Sequence, residues 1–414
     1  MQRIRPDYYD RFTCIADRCT ITCCQEWKIA VDTDTNRKWK KVCPPDTVKE
    51  QKKNLSAYTT KKEGLRVIKL DNDHRCPFLA DNKLCRLVSA YGDKILSETC
   101  TTFPREVHRF SDHEEETLMP CCPAVIDLWD SEELLHFPVF NPAEDSAGVS
   151  DNQHIAAATN TAALTSDHTF TDSFLFKIRT KCIEQIYDTS VPLESILLGL
   201  FYILHELLHK QDEGHSLTDE LLDDYFSSRT VKQLRDAISE IELPSFDTIM
   251  ECNELLQDLA VNYKKEGLYL SYLNPVLNLA ENLSEAFDFE DELLLHWENF
   301  QKDLLSHDFL LRNFMANELY SDLLMPGATL KDMLIQMQWI AMEYAVIRHS
   351  LFLKWLLNSD STTVALPYEA VRDYLVVVTR MTGYEEEDIY EYLKNSFESL
   401  IWDWGYFALI TGKN

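Results

Sequence analysis

The sequence predicts a mainly α-helical protein, in which a small cysteine-rich N-terminal metal module of mixed structure precedes a larger all-α C-terminal domain. Two observations support this prediction. Ten of the 12 cysteines lie within the first 122 residues, and apolar residues after about residue 171 recur at spacings of three and four. The 414 residues suffice for two domains of ordinary size. We expect a metal module at 1–130, a linker or surface excursion at 131–170 and a helical domain at 171–414.

The N-terminal module is expected to contain short elements of both kinds. The alternating apolar residues of WKIAVD (27–32) and the stretch GLRVIKLD (64–71) predict strands. TNRKWKKV (35–42) and SAYGDKIL (89–96) predict short helices. Residues 141–173 are rich in Ala, Ser, Thr, Asn and Asp without a hydrophobic period, which indicates a linker.

The C-terminal region predicts a succession of helices. SFLFKIRTKCIEQIYD has a helical apolar period, and PLESILLGLFYILHELLHK begins with a proline suited to a first turn and stops at QDEG. Further helices are predicted at 231–241, 247–264, 273–305, 309–324, 330–357, 367–379 and 386–400.

The distribution of charge argues against one functional class. The net charge is −29, but residues 1–125 carry a net of +3 and residues 126–414 a net of −32. An acidic protein of this kind is a poor candidate for nucleic-acid binding. The acidic half is typical of a soluble surface. The alternative is attraction for a basic partner, because a field of one sign steers oppositely charged ligands.

Other features indicate the cellular compartment and exclude common cofactor loops. No run of about 18 apolar residues exists, so we expect no membrane-spanning helix. The N-terminal MQRIRPDYYDRF lacks the apolar region of a secretory signal, so we expect a cytoplasmic protein. Glycine is scarce, with 10 residues and no GxG pair, which excludes a Rossmann-type dinucleotide or methyl-donor loop and a P-loop.

The cysteines of the N-terminal module are spaced as metal ligands are. Four lie in FTCIADRCTITCCQEWKI, two in CPFLADNKLC, one in LSETCTTFPR and two in CCP. In a reducing compartment such thiols favour metal or redox sites over disulfides, and thiolates suit Zn²⁺ or iron–sulfur clusters. Zinc ribbons normally pair two C-x2-C knuckles, and no C-x2-C occurs here, which favours iron–sulfur. Zinc and buried free thiols remain the alternatives.

Two further cysteine patterns have simpler interpretations. A radical-SAM loop would read C-x3-C-x2-C, and Cys19 and Cys23 begin it, but Glu26 occupies the third position. Cys182 and Cys252 are isolated in the helical region, and we expect both to be small buried residues.

Four motifs make the sequence resemble a known family. FTCIADRCTITCCQEWKIAVD, CPFLADNKLCRL, LSETCTTFPR and CCPAV together resemble the flagellin lysine-N-methylase (FliB) family. The CC, CPFL and C-x2-[FY]-P elements also resemble YkgJ-type cysteine-cluster proteins, but the WKI and FPR details favour the methylase family. More loosely, LLRNFMANELYSDLLMP, WIAMEYAVIRHSLFLKW and VVTRMTGYEEEDIYEYL resemble the family's C-terminal region.

The resemblance implies an activity and a cofactor. The family transfers a methyl group from S-adenosylmethionine (SAM) to the ε-amine of surface lysines on flagellin, and it is similar to iron–sulfur proteins in carrying a [4Fe–4S] cluster. The cysteines that match the family pattern are Cys14, Cys19, Cys23, Cys24, Cys76, Cys85, Cys100 and Cys122. These eight exceed the four ligands of one cluster, so several sets stay open. The preferred candidates are Cys19, Cys23, Cys76, Cys85 and Cys100.

The implied reaction makes demands on the remaining residues. A lysine amine attacks only when neutral, and its ordinary pKa is about 10.4, so a methylase must desolvate the amine or place a base near it. Arg105, in FPR, is a candidate cofactor-binding residue that would pair with the donor's carboxylate, with an ordinary ion pair as the alternative. Two roles stay open for the cluster: it binds SAM and takes part in the reaction, or it is structural.

Two alternatives belong to other functional classes. A non-enzymatic iron–sulfur or zinc module would bind partners or transfer electrons. HELLH fits the zinc-protease signature, in which His205 and His209 would bind zinc and Glu206 would act as a base, although the surrounding leucines indicate a core helix. The third zinc ligand would have to come from Glu220, Asp223 or Asp224.

Overall fold

The protein is mainly α-helical, as the sequence predicts. The computed structural model describes residues 2–62, 64–131, 133–138, 167–283, 290–359, 366–383, 389, 392–393 and 403–412, with the side chains of 167–172 excepted. Most elements in these ranges are helices. None of the helices described is both long enough and apolar enough to cross a bilayer.

Short strands occur only in the N-terminal part of the described chain. They are β1 Gln2–Ile4, β2 Thr59–Lys62, β3 Leu65–Ile68, β4 Arg105–Arg109 and β5 His113–Leu118. One sheet has the order β1-β5-β4, with β1 parallel and β4 antiparallel to β5. Strands β2 and β3 form a separate antiparallel hairpin.

Four short α-helices accompany these strands, and two of them begin at a residue whose side chain caps the first turn. They are α1 Thr33–Trp39, α2 Arg86–Tyr91, α3 Glu98–Thr102 and α4 Pro123–Trp129. The Asp32 side chain accepts a hydrogen bond from the first turn of α1, and the Ser97 side chain accepts one from the Cys100 N–H. Cysteines occupy the N-cap positions of α2 (Cys85) and α4 (Cys122).

Long helices make up the rest of the described chain. They are α5 Asp167–Ile186, α6 Leu193–Asp212, α7 Asp219–Tyr225, α8 Ser228–Glu240, α9 Ser245–Glu266, α10 Leu270–Ala280, α11 Glu290–Leu304, α12 Asp308–Ser321, α13 Leu330–Asn358, α14 Tyr368–Thr382 and α15 Trp404–Thr411. Helix α13 is buried along nearly its whole length and lies at the centre of this half.

The sequence-based expectations fail in two places, and two others are largely untested. Residues 27–32 alternate in burial as predicted but form only an isolated bridge to β3, between Ala30 and Val67, rather than a strand. The single helix expected at 273–305 is two helices, α10 and α11, on either side of 284–289, which lie outside the described residues. The helix predicted at 386–400 and the linker at 131–170 fall mostly outside the described residues.

The buried side chains form two clusters of very different size. The smaller, which we call the small core, contains apolar residues between Ile29 and Ile95 and includes Cys76. The larger, which we call the large core, contains the helical half together with N-terminal residues such as Tyr8, Leu118 and Trp129. The β1-β5-β4 sheet and α4 therefore pack on the helices rather than on the small core.

A buried ion pair joins the sheet to the helical half. The guanidinium of Arg179, on α5, donates two hydrogen bonds to the carboxylate of Glu115, on β5, at 2.7 and 2.6 Å. Both side chains are at most 3% exposed. This planar, two-bond geometry holds the two elements in one orientation.

Candidate functional site

The loop between Cys76 and Cys85 folds back on itself and brings its two cysteines together. The N–H of Leu79 donates to the carbonyl of Cys76 at 2.9 Å, and the N–H of Arg86 donates to the carbonyl of Phe78 at 2.8 Å. Leu79 and Cys85 form an isolated antiparallel bridge. The residues between Cys76 and Cys85 in the C-x8-C pattern therefore form one closed loop.

A second loop, with the adjacent Cys23 and Cys24, is joined to the first by backbone hydrogen bonds. The N–H of Cys76 donates to the carbonyl of Cys24 at 2.8 Å, and the N–H of Glu26 donates to the carbonyl of His74 at 2.8 Å. Lys83 also donates through Nζ to the carbonyl of Cys19 at 2.8 Å. Two motifs some fifty residues apart in sequence therefore form one cysteine-bearing unit.

Five thiols from three segments are close enough to perturb one another electrostatically. The pKa of the Cys100 thiol is raised to about 11, mainly by burial and with contributions from negative charge on Cys23 and Cys85. Burial likewise raises the pKa of Cys76, and the charges of Cys100, Cys85 and Cys23 add to the effect. The Cys24 thiol, hydrogen-bonded to Cys23, also has a raised pKa. We call Cys23, Cys24, Cys76, Cys85 and Cys100 the thiol cluster.

The remaining family-pattern cysteines form a second neighbourhood that meets the first at Cys23. Burial raises the pKa of Cys19, and the charges of Cys23 and Cys14 contribute to it. Burial raises the pKa of Cys122 to about 12, with contributions from Cys19 and Cys23. Cys14 itself is exposed.

The other four cysteines have different surroundings. Cys43 is exposed, and Cys121 is buried behind Cys122. Cys182 and Cys252 are buried in the large core, which confirms the expectation for both.

Arg380, which sequence reasoning missed, connects the helical half to the cysteine loops. From α14 its guanidinium donates to the carbonyls of Cys121 at 3.0 Å and Ile21 at 3.0 Å. Its charge also contributes to lowering the pKa of Cys23 to about 7, after the larger effect of the hydrogen bond with Cys24. One signal was available: in VVTRMTGYEEEDIYEYL, Arg380 comes two residues after an apolar run, where a buried cation needs a partner.

Tyr269 forms a second connection between the halves. Its N–H donates to Glu26 Oε1 at 2.9 Å, and its hydroxyl donates to the carbonyl of Glu26 at 2.5 Å. Both residues have positive φ, 54° and 56° respectively. The cysteine loop at 19–26 is thus held from the helical side by Tyr269 as well as by Arg380.

A cavity of about 860 Å³ lies beside the thiol cluster. Helix α3 separates the two, because Thr99 and Thr102 line the cavity on either side of Cys100. The volume is in the range of small-molecule sites. Trp27 and Phe103 contribute aromatic rings to its wall, with centroids 5.5 Å apart.

Arg105, the predicted cofactor-binding residue, lines this cavity. Its guanidinium lies over the rings of Tyr9 and Phe12, at 5.8 and 5.2 Å from their centroids. Among the described residues it forms no side-chain hydrogen bond or ion pair, so its donors are available to a ligand.

The HELLH residues lie elsewhere, on α6. His205 and His209 line a separate cavity of about 450 Å³ with Asp212 and Lys331. His209 is largely exposed, with Nε2 3.4 Å from a carboxylate oxygen of Glu213. The candidate third ligands on α7 are not among the residues that line this cavity.

The chain was compared with known proteins. Residues 179–410 match the family model described as the FliB lysine N-methylase C-terminal domain. A lysine-N-methylase of Salmonella typhimurium is 28% identical over 170 residues, or 38% of this chain and 37% of the relative. The flagellar biosynthetic protein FliU of Salmonella muenchen is 28% identical over 131 residues, or 29% of this chain and 72% of the relative.

The extent of these matches determines what they establish. A lysine-N-methylase of Salmonella choleraesuis is 27% identical over 170 residues, and the chain again spans only 37% of that relative's length. No solved structure matches the chain. The family model covers more than half of the 414 residues, including Arg380 and the α13 core. On this evidence, the chain belongs to the FliB lysine N-methylase family.

Proposed function

We propose that the protein is a SAM-dependent protein-lysine N-methyltransferase that binds a [4Fe–4S] cluster and modifies surface lysines of flagellin. Family membership and the relatives named lysine-N-methylase support the reaction. The relative named as a flagellar biosynthetic protein supports the flagellar link. The observation on which the proposal rests is the position of the cavity, which lies against the helix that bears Cys100.

The thiol cluster is suited to an iron–sulfur centre. Its thiols are soft donors, and the raised pKa values of Cys76 and Cys100 mean that their thiolates coexist there only if a cation compensates the charge. A single zinc ion would draw four sulfurs to about 3.8 Å from one another, because each Zn–S bond is about 2.3 Å long. Among the described residues no three thiols are that close, whereas an iron–sulfur cluster holds its thiolates on different irons.

Four residues of the thiol cluster are the proposed cluster ligands: Cys23, Cys76, Cys85 and Cys100. Cys24 is the alternative to Cys23, since the two are adjacent and hydrogen-bonded. Arg380 would offset part of the negative charge of the ligated thiolates, because its charge acts on Cys23. The cluster would supply a Lewis-acidic or redox centre beside the cavity or hold α3 in place.

The cavity beside α3 is the proposed donor pocket. Arg105 would pair with the carboxylate of SAM, and the Trp27 and Phe103 rings would contact the adenine. The neutral lysine amine would then attack the methyl carbon as the carbon–sulfur bond breaks, leaving S-adenosylhomocysteine and a proton for a nearby base. The net charge of −32 on residues 126–414 would attract the lysine-bearing surface.

The test is methyl transfer from labelled SAM to flagellin by anaerobically purified protein. We expect about four irons and four sulfides per chain and a broad absorbance band at roughly 400 nm. The labelled methyl group should be found on lysine residues of flagellin. Cys85→Ser should lose both cluster and activity, whereas Cys43→Ser, outside the thiol cluster, should keep both. Cluster-replete protein that transfers no methyl group would favour a non-enzymatic module, and full activity in cluster-free Cys85→Ser protein would exclude a catalytic cluster.

A second experiment isolates the donor pocket. Arg105→Met should weaken SAM binding by about tenfold or more, the value of a charge-assisted hydrogen bond, without loss of cluster absorbance. Arg109→Met is the matched control, because Arg109 lies on the same strand but pairs with Glu114. Equal SAM affinity in the two variants would move the donor pocket away from this cavity.

A further inference from the structure

A group of three ligating side chains lies between the sheet and the helical half, outside the thiol cluster. Glu106 and His108 lie two positions apart on β4, so their side chains project from the same face of the strand. Asp322 immediately follows α12. One donor atom from each lies within 4.8 Å of the other two. In the described part of the chain this is the one group of histidine, cysteine, aspartate or glutamate side chains with that spacing.

The imidazole of His108 is the second observation that points to a ligand. The side chain is 7% exposed, and its Nε2 atom has no hydrogen-bond partner. Glu106 Oε2 lies 3.6 Å from this atom, which is beyond hydrogen-bonding distance. A buried ring nitrogen that lies beside a carboxylate without a hydrogen bond to it is the arrangement that a shared ion would complete.

Two more carboxylates lie behind the group. Glu318, on α12, and Glu343, on α13, are both about 95% buried. Buried carboxylates gathered in this way repel one another, and a cation among them would stabilise them.

We propose that Glu106, His108 and Asp322 bind one divalent first-row transition ion, of the class Mn²⁺, Fe²⁺ or Zn²⁺, at a site separate from the cysteines. The donor set decides the class: imidazole with carboxylates suits these ions, whereas soft Cu⁺ would select the thiols. Three protein donors leave further coordination positions for water or a ligand. The ion ties β4, the strand that begins at Arg105, to the end of α12.

The proposal stands independently of the methylase proposal, because it requires only that the three side chains meet. It predicts a structural link between the two halves of the molecule in addition to Arg380. Substitutions that abolish the ion should leave the thiol cluster able to bind iron, and the thiol-cluster substitutions should leave the ion in place.

Manganese is the appropriate probe, because a hard ion avoids the 12 cysteines and any cluster on them. Purified protein of measured iron content is titrated with Mn²⁺, and free Mn²⁺ is followed by its electron paramagnetic resonance signal. We expect one bound Mn²⁺ per chain, with affinity reduced at least about tenfold in Asp322→Asn and His108→Gln. His209→Gln is the control, because His209 is also a histidine beside a carboxylate but lies on α6.

The outcomes separate the alternatives. Asp322→Asn removes one of several mutually repelling charges, so it should fold even if His108→Gln does not, and circular dichroism checks both. Zn²⁺ should displace the bound Mn²⁺ in the wild-type protein but release none in Asp322→Asn. Wild-type protein that leaves Mn²⁺ free, or several weak sites unaffected by Asp322→Asn, would overturn the proposal and assign any binding to the acidic surface.

Discussion

The two cores of the molecule differ in what holds them together. The small core has a dozen buried residues, and Cys24, Cys85 and Cys100 cover one side of it. The large core comprises most of the buried apolar residues. A core as small as the first is marginal by itself, whereas one as large as the second is not. If the thiols bind a cluster, the comparison predicts that the small core depends on that cluster for its stability and that the large core does not.

We expect the largest effect on the free energy of unfolding from a substitution that removes the buried ion pair between Arg179 and Glu115. Arg179→Met leaves the Glu115 carboxylate buried without its partner and should lower the free energy of unfolding by about 3–5 kcal/mol. Urea denaturation measures it. Lys177→Met is the control: its pair with Asp219 is about half exposed, so the change should be below about 1 kcal/mol.

The same ion pair has a pH signature. Burial opposes ionisation of Glu115, but Arg179 more than offsets it and holds the pKa of Glu115 below its ordinary value. The pair's stabilisation is therefore present above the ordinary carboxyl pKa and is lost as the pH falls through the lowered one. Arg179→Met should lack this acid-dependent contribution, and a variant with unchanged pH dependence would contradict the assignment.

Removing iron should affect the small core selectively. If the thiols bind a cluster, its loss leaves residues 29–100 without the cation that compensates their thiolates, and local opening should become easier. Hydrogen exchange followed by mass spectrometry should show at least about tenfold faster exchange there, with little change in α13. Uniform acceleration over both cores would show that they are one cooperative unit.

A smaller effect is expected at the contact between the two regions. The pKa of Cys23 is lowered to about 7 mainly by the hydrogen bond with Cys24, and the charge of Arg380 adds to this effect, so the thiolate should form at somewhat higher pH in Arg380→Gln. In cluster-free protein, alkylation of Cys23 near pH 7 should be slower in this variant. Arg372→Gln, on the same helix but paired with Asp373, should leave the rate unchanged.

The smallest effect is expected at the HELLH sequence. His205→Ala and His209→Ala should leave metal content and methyl transfer unchanged, with stability within about 0.5 kcal/mol of wild type, because surface substitutions rarely do more. Metal analysis of each purified variant checks this. Loss of a bound zinc ion in either would revive the hydrolase alternative.

The sequence predicts the helical half well because its apolar period is strong. Helix α13, predicted at 330–357, is found at Leu330–Asn358. The strands β4 and β5 escape prediction because REVHR and HEEETL are mostly charged and show no apolar alternation. Strand β5 is largely buried nonetheless, because polar contacts such as the ion pair of Glu115 with Arg179 replace apolar ones.

The sequence predicts which cysteines form the candidate site, but it does not predict which residues hold the cysteine loops in place. The cysteine spacing identifies the loops, and hydrogen bonds between the Cys24 and Cys76 segments bring them together. Tyr269 and Arg380 hold the loop at 19–26 from positions more than 240 residues away, and no local pattern encodes such a contact. The group of Glu106, His108 and Asp322 likewise combines a strand and a helix end that only the fold makes adjacent.

The contact from Arg380 also has a consequence for the order of synthesis. Its hydrogen bond to the carbonyl of Ile21 spans 359 positions, so the first cysteine loop is translated long before the residue that holds it. At about 5–20 residues per second, that interval is roughly 20–70 s. The first cysteine loop therefore lacks its contacts with Arg380 while the helical half is being translated. The surroundings of these cysteines are complete only after α14 has been synthesised.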